Sequence, residues 1–265
     1  MNDHIAKEMQ QTYDHYFLSH GYRRRYPEPN AATLGYVLKH GAHGASRILD
    51  FGCGNGRYAM ALLAQTSAHL TAYDISAASL LEFEDTLKQT PYRERVTLVH
   101  GEMAALAAPA GYDVVLMLFG VLSHLGDRAS RLHTLRELRG QMRADSRLIV
   151  SVPSIYRRRP WELLRYGLER RLGLAQPPQD EPGNIYFTRH IQGQSLRFFY
   201  HLYTVDDLRQ ELHAAGFALS DWQAESMLPE WWITQSTTLR GIDRVLSARL
   251  PAALGYGMRA VAIPL

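Results

Sequence analysis

Residues 47–58 read R-I-L-D-F-G-C-G-N-G-R-Y, from Arg47 to Tyr58, and this stretch decides the fold. Ile48, Leu49 and Phe51 form a short apolar run that predicts a buried strand, broken at once by Gly52, Gly54 and Gly56. From Arg57 the pattern turns helical, through Tyr58, Ala59, Ala61, Leu62 and Leu63. A strand that runs through a glycine turn into a helix leaves free backbone N–H groups at the helix entrance, where an anionic or strongly polar ligand group can sit. A dinucleotide fingerprint is G-x-G-x-x-G; here the third glycine comes one residue early and an acid, Asp50, ends the strand. The spacing therefore disfavours NAD, as do some 45 residues of largely helical sequence ahead of this strand.

Outward from the loop the pattern repeats. Residues 70–74, L-T-A-Y-D, predict a second strand that ends in an acid twenty residues beyond Gly54. Residues 96–103, V-T-L-V-H-G-E-M, predict a third strand followed by Gly-Glu, and residues 112–125, Y-D-V-V-L-M-L-F-G-V-L-S-H-L, a fourth strand entering a loop. Residues 132–152 supply a helix and a fifth strand, R-L-I-V-S-V-P. Taken in this order, with D-F-G-C-G-N-G at their head, the segments from about Gly44 to Pro153 resemble the class I S-adenosylmethionine-dependent methyltransferases. The resemblance implies an α/β fold: a Rossmann-like seven-stranded sheet with helices on both faces and an antiparallel last strand. It implies S-adenosylmethionine as cofactor, with Asp50, Gly52, Cys53, Gly54 and Gly56 around its methionine end. Asp74 would accept hydrogen bonds from the ribose, Ile75 and Met103 would pack on the adenine, Glu102 would face the adenine amino group, and Phe119 would stand in the methyl-transfer loop.

Before the loop, Ile5 to Tyr26 carries Tyr13, Tyr16, Phe17, Tyr22 and Tyr26, and Asn30 is placed to cap a helix running to His40. Residues 1–43 are expected to form a helical lid in which Tyr13 and Tyr16 reach the substrate, although aromatics at this spacing also suit a core. Beyond the fifth strand, 155–202 reads as an inserted α/β cap that shapes the acceptor site: three arginines, a broadly apolar helix, a proline-rich loop, and two strands, N-I-Y-F-T-R and S-L-R-F-F-Y-H-L-Y. The methyltransferase domain thus spans 44–154 and 203–265. In its second part Thr204 caps a helix, 217–223 is a sixth strand, 227–232 a loop, 242–250 a helix and 255–264 the last strand.

The chain has 265 residues, 29 Lys+Arg against 26 Asp+Glu, and a net charge of +3, ordinary values for an enzyme. Its one cysteine, Cys53, excludes intrachain disulfides and suits a reducing compartment. The first residues are charged, without an apolar signal segment, and the apolar window 103–125 is broken by Pro109 to Tyr112, so a cytoplasmic protein with no transmembrane segment is expected.

Methyl transfer from a sulfonium is an in-line displacement in which a protein aligns two atoms and excludes water. An oxygen or nitrogen acceptor also has to lose a proton, which makes His124, just beyond the fourth strand, the first candidate for a base, with His201 and Tyr16 as further catalytic candidates. Each of these side chains equally suits packing. The acceptor expected is a small or lipid-like molecule. R-F-F-Y-H-L-Y-T-V-D-D-L, from Arg197 to Leu208, is also similar to tRNA methyltransferases that esterify carboxymethylated wobble uridine, so RNA stands as an alternative. The arginine runs with Trp161, Trp231 and Trp232 suit an acidic metabolite, or peripheral contact with anionic lipid. A protein that binds the cofactor without turnover is the remaining alternative.

Overall fold

The computed structural model describes residues 3–101, 103–106 and 111–265. Helix α1 (Asp3–Leu18), the single-turn α2 (Gly21–Arg25) and α3 (Ala31–Lys39) precede β1 (Arg47–Phe51). The next units are α4 (Arg57–Leu63), β2 (His69–Asp74), α5 (Ala77–Leu87), β3 (Val96–His100), β4 (Tyr112–Met117), α6 (Arg128–Gly140) and β5 (Met142–Pro153). After them come α7 (Pro160–Arg171), the hairpin β6 (Asn184–Ile191) and β7 (Gln194–His201), α8 (Val205–Ala214), β8 (Phe217–Ser226), α9 (Glu230–Ile233), α10 (Thr237–Arg249) and β9 (Gly257–Pro264).

Seven strands form one sheet in the order β3-β2-β1-β4-β5-β9-β8, parallel from β3 to β5, with β9 antiparallel to both β5 and β8. The last strand is antiparallel, as expected, and inserts between the fifth and the sixth of this sheet. Both faces are covered, which explains why the inner strands read as continuous apolar runs rather than alternating ones. Ile48, Val114, Leu116 and Ile149 point to one face, under α3, α4 and α5; Leu49, Val115, Met117, Leu148 and Val150 point to the other, under α6 and α8. The predicted caps form: Asn30 Oδ1 accepts from the N–H groups of Ala32 and Thr33, and Thr204 with Asp207 makes a complete capping box. Each satisfies backbone donors that the helix start would leave bare, and such a cap stabilises by about 1 kcal/mol.

A third apolar cluster joins α1 and α2 to β6 and β7, through Ile5, Met9, Tyr16, Phe17 and Tyr22 against Ile185, Phe187, Phe198 and Tyr200. In this hairpin Gln192 and Gly193 both have positive φ, 50° and 78°, the pairing that a tight two-residue turn needs. Several boundaries differ from the sequence expectation; β8 runs on to Ser226 and β9 starts at Gly257. Strand β5 starts at Met142 rather than Arg147, because Met142 pairs with Tyr112 ahead of an irregularity in register. Helix α10 starts at Thr237, where the Ser236 hydroxyl accepts from Leu239 N–H, and not at Ile242. The expected loop 227–232 contains the single turn α9. Among the described residues, no helix is long and apolar enough to cross a membrane.

Candidate active site

Strand β1 delivers Asp50 and the three glycines to the carboxyl edge of the sheet, where open α/β sheets bind ligands. Gly52, Gly54 and Gly56 all adopt left-handed conformations, with φ of 80°, 56° and 77°. At two of them a side chain also lacks room: a Cβ would stand 2.4 Å from Val121 at Gly52 and 2.2 Å from Phe83 at Gly56. Asp50 is buried, and its Oδ2 has no hydrogen-bond partner. Burial first, and then the neighbouring Asp74, push its pKa up to about 7, with Arg57 acting the other way. A buried carboxylate left bare beside a glycine loop fits a ligand that carries an ammonium group.

Asp74, at the end of β2, accepts from Gly54 N–H at 2.7 Å and from Ser76 N–H at 2.8 Å. Each carboxylate oxygen has a second lone pair, so both retain capacity for a ligand hydroxyl. Burial raises its pKa, and the two N–H bonds oppose the shift. Cys53 is buried and its thiol pKa is raised by that burial and by the two nearby acids, which gives it the character of a packing residue. Ile75 and Met103 are partly buried against the core below this edge, whereas Glu102 lies outside the described residues.

Phe119 sits just beyond β4 at φ 62°, a conformation unusual for a bulky residue. It is pinned there: its N–H donates to Ser151 Oγ at 2.6 Å, and Gly120 N–H donates to Ser151 carbonyl oxygen. Its ring meets Tyr26 edge to face at 4.7 Å, and the Arg57 guanidinium lies 4.7 Å from the ring centre. Arg57 is itself buried and ion-paired at 2.8 Å with the buried Glu230 of α9.

His124 follows β4 by one short turn. Its Nδ1 lies 2.8 Å from the carbonyl oxygen of Phe199, which can only accept, so Nδ1 carries the proton. Nε2 is then a bare lone pair, and the Tyr13 hydroxyl donates to it at 2.7 Å. Burial, reinforced by Arg189 and Arg158, lowers the His124 pKa to about 3, so the ring is neutral. Tyr13 is raised well above the ordinary phenol value, chiefly by burial.

The other two catalytic candidates fare differently. Tyr16 is buried three residues along α1; its hydroxyl has no partner in hydrogen-bond geometry, and burial pushes its pKa up to about 12. His201 turns away from this site. Side chains alternate along β7, so Tyr200 faces His124, with ring centres 4.5 Å apart, while His201 bonds Asn184 Oδ1 at 2.6 Å on the opposite face. There it packs beside Arg131, which is fully buried and bonded to Glu211, Glu181 and the carbonyl of Gly126. The structure therefore puts His201 in a structural network and brings Tyr13, rather than Tyr16, to His124.

Tyr26 lines a cavity of about 960 Å³ together with residues of α1, α2, α7, the hairpin and α9; Phe119, Tyr13 and His124 are not part of its wall. Arg24, Arg25, Arg158, Arg159 and Arg189 contribute to its wall, with Tyr16, Tyr26, Trp231 and Tyr256. Sequence reading singled out the runs 23–25 and 157–159 but passed over Arg189, whose signal is a lone arginine on the apolar face of a strand that also carries Ile185 and Phe187.

Comparison with known proteins agrees with this architecture. Residues 48–144 match the family model described as a methyltransferase domain. A curated relative, the tRNA1(Val) (adenine(37)-N6)-methyltransferase of Dyadobacter fermentans, is 32% identical over 74 residues, 27% of this chain and 30% of its own, so the chain spans under a third of that relative's length. Among solved structures, the 1,6-didemethyltoxoflavin-N1-methyltransferase of Burkholderia thailandensis, with bound 1,6-didemethyltoxoflavin and S-adenosylhomocysteine, superposes with a TM-score of 0.64 at 18% identity, covering 100% of this chain and 90% of that one. The CcbJ methyltransferase of Streptomyces caelestis gives a TM-score of 0.59 at 16% identity, covering 89% and 90%. At such identities the likeness establishes the fold. Residues 48–144 thus match a methyltransferase domain, and the seven-stranded sheet around them has the fold of these solved methyltransferases.

Proposed function

We propose that this protein transfers a methyl group from S-adenosylmethionine to an oxygen or nitrogen atom of a small or lipid-like acceptor that enters the arginine- and tyrosine-lined cavity. The observation that carries this reading is the bare, buried carboxylate of Asp50 beside three left-handed glycines; a cavity of about 960 Å³ is lined in part by Tyr26, whose ring meets Phe119 just beyond β4. In this reading Asp50 faces the ammonium of the cofactor, the glycine loop lets its chain approach, and Asp74 accepts from the ribose hydroxyls. Ile75 and Met103 flank the base. When bound, the cofactor supplies an electrophilic methyl group on a sulfonium.

The residues of this chain then have two tasks. Phe119, Tyr26 and α1 exclude water and fix the acceptor in line. His124 and Tyr13 handle the proton: Tyr13 Oη takes it from the acceptor as the tyrosine's own proton passes to His124 Nε2. On this assignment residues 1–43 act as a lid and 155–202 as a cap.

Calorimetric titration with S-adenosylmethionine, S-adenosylhomocysteine and NAD tests the cofactor. Tight binding of the first two and none of NAD is expected, with Asp74→Ala weakening both by about 10- to 100-fold, the worth of a charge-assisted hydrogen-bond pair. Binding of NAD alone would overturn the reading. The second reading, transfer to tRNA, is favoured by the match to a tRNA methyltransferase and by the arginine clusters. It predicts binding of bulk tRNA that weakens steeply with salt; salt-insensitive binding counts against it.

A further inference from the structure

We propose that the acceptor is a small molecule bearing a carboxylate or phosphate, and that Arg158 and Arg189 grip its anionic oxygens inside the cavity while the surrounding rings hold its body. This rests on the methyltransferase reading for the word acceptor; the anion site stands on the cavity alone.

Five arginines line the cavity against two acids, Glu162 and Glu230, and both acids are already engaged. Glu162 bonds Arg159 at 2.9 Å, and Glu230 pairs with Arg57 at 2.8 Å. Arg24 donates to Ser19 carbonyl oxygen and Arg25 to the Tyr26 hydroxyl. Arg158 and Arg189 stand apart: among the described residues, neither has a carboxylate at ion-pair distance. The Arg158 Nε is buried with no hydrogen-bond partner. Its guanidinium lies 4.3 Å from the centre of the Tyr256 ring and 5.8 Å from that of Tyr200; Arg189 lies 5.3 Å and 5.2 Å from Phe187 and Phe198.

Ring faces hold a guanidinium by its plane and leave its N–H edge for two anionic oxygens at once; at Arg158 the Nε lacks any partner, while the Arg189 guanidinium also lies beside the Tyr16 hydroxyl. A cation drawn out of water without a counter-charge is an expensive arrangement, which a bound anion would relieve. The buried Glu225 also lies within the field of Arg158, but its own pKa is pushed up to about 7 by burial and by Glu230, so it offers Arg158 only a partial counter-charge near neutrality.

The position of the two arginines adds a chemical consequence. Both reach the Tyr13–His124 pair electrostatically, and both make His124 less basic. An anion neutralising them would restore part of that basicity when the acceptor is in place. The volume of about 960 Å³ suits one molecule of metabolite size rather than a helical nucleic acid.

The test uses benzoate and phenyl phosphate as probes of the two anion types and benzyl alcohol as the neutral analogue. Each is titrated into the full chain with and without S-adenosylhomocysteine and read by calorimetry. At least one anion is expected to bind tenfold or more tightly than benzyl alcohol; preference for phenyl phosphate or benzoate identifies the group. Arg158→Gln and Arg189→Gln should each remove tenfold or more, with Arg158→Lys keeping part of the affinity. Arg165→Gln, on the exposed face of α7, should change nothing. Equal affinity for benzyl alcohol, or no anion binding up to about 10 mM, overturns the proposal. So does tRNA binding to these arginines with a steep salt dependence while both small anions fail. Anion binding in a protein that never binds S-adenosylhomocysteine would break the methyltransferase reading and leave the anion site intact; the converse breaks only the anion site.

Discussion

Asp50 has a carboxyl group whose pKa is pushed up to about 7 and whose Oδ2 lacks a partner. A cation placed beside it favours the charged form, so cofactor binding should lower that pKa and expel a proton wherever the free protein still carries one. Near pH 6 binding is expected to release most of one proton, and near pH 9 almost none. Calorimetry in buffers of different ionisation enthalpy reads the number directly; Asp50→Asn should abolish the release, and equal release at both pH values would refute the assignment. The same raised pKa affects the free protein. Because the folded value lies above the unfolded value of 3.8, the unfolded chain loses its proton first, and stability contributed by this group falls as pH rises from about 4 to 7. Tyr13 and His124 invite a kinetic counterpart. Once an acceptor is in hand, Tyr13→Phe should lower turnover by about 100-fold or more while cofactor affinity is unchanged, the range expected for a positioned proton carrier. Normal turnover in Tyr13→Phe would remove the pair from the mechanism. Sequence alone pointed to Asp50, Asp74 and the glycines because a strand, a turn and a helix impose their spacing locally. It named Tyr16 rather than Tyr13 as a catalytic candidate, since the partner of His124 depends on how α1 lies across β7, a contact 111 residues away in the chain.

Among the elements, the strand-to-helix units were legible for the same local reason: apolar runs of strand length, each ended by glycine or an acid. The short helix α9 was not, because what fixes it is the ion pair of its first residue, Glu230, with Arg57, a partner 173 residues distant. Non-local pairs of this type have no period to read. Arg131 is the clearest case. Its side chain is fully buried on α6, donates to both carboxylate oxygens of Glu211 on α8, and reaches Glu181 ahead of β6, while the Tyr203 hydroxyl bonds the same Glu211. Removing one partner of such a pair strands the other's charge in the interior, at a cost of about 3–5 kcal/mol. Arg131→Leu is therefore expected to lower Tm by about 10 °C for a chain of this size, measured by calorimetric or dichroic melting. Adding Glu211→Leu should recover part of the loss, because the stranded carboxylate goes with it; a double variant less stable than the sum of both singles would contradict this account.

Helix α1 ties the two halves of the molecule together. On one side Thr12 donates to Arg197 carbonyl oxygen, and Glu8 accepts from the Tyr186 hydroxyl and pairs with Arg197, all on the hairpin. On the other, Asp14 accepts from the Ser76 hydroxyl and from Ala78 N–H at the start of α5, and Phe17 lies over the glycine loop, 3.2 Å from where a Cβ on Gly54 would stand. The helix that holds Tyr13 against His124 is therefore also the cover of the expected cofactor site. A ligand seated beneath Phe17 would gain access only when these contacts open, and once seated it would add contacts of its own to the underside of α1. Bound S-adenosylhomocysteine is accordingly expected to slow amide hydrogen exchange across α1 by tenfold or more, with little change in β8 and β9 at the far end of the sheet. Phe17→Ala should speed ligand dissociation more than association, since it thins the cover without altering the carboxylates beneath it. Stopped-flow release and exchange mass spectrometry measure the two effects separately, and unchanged exchange in α1 on binding would show that the ligand enters by a route this helix does not guard.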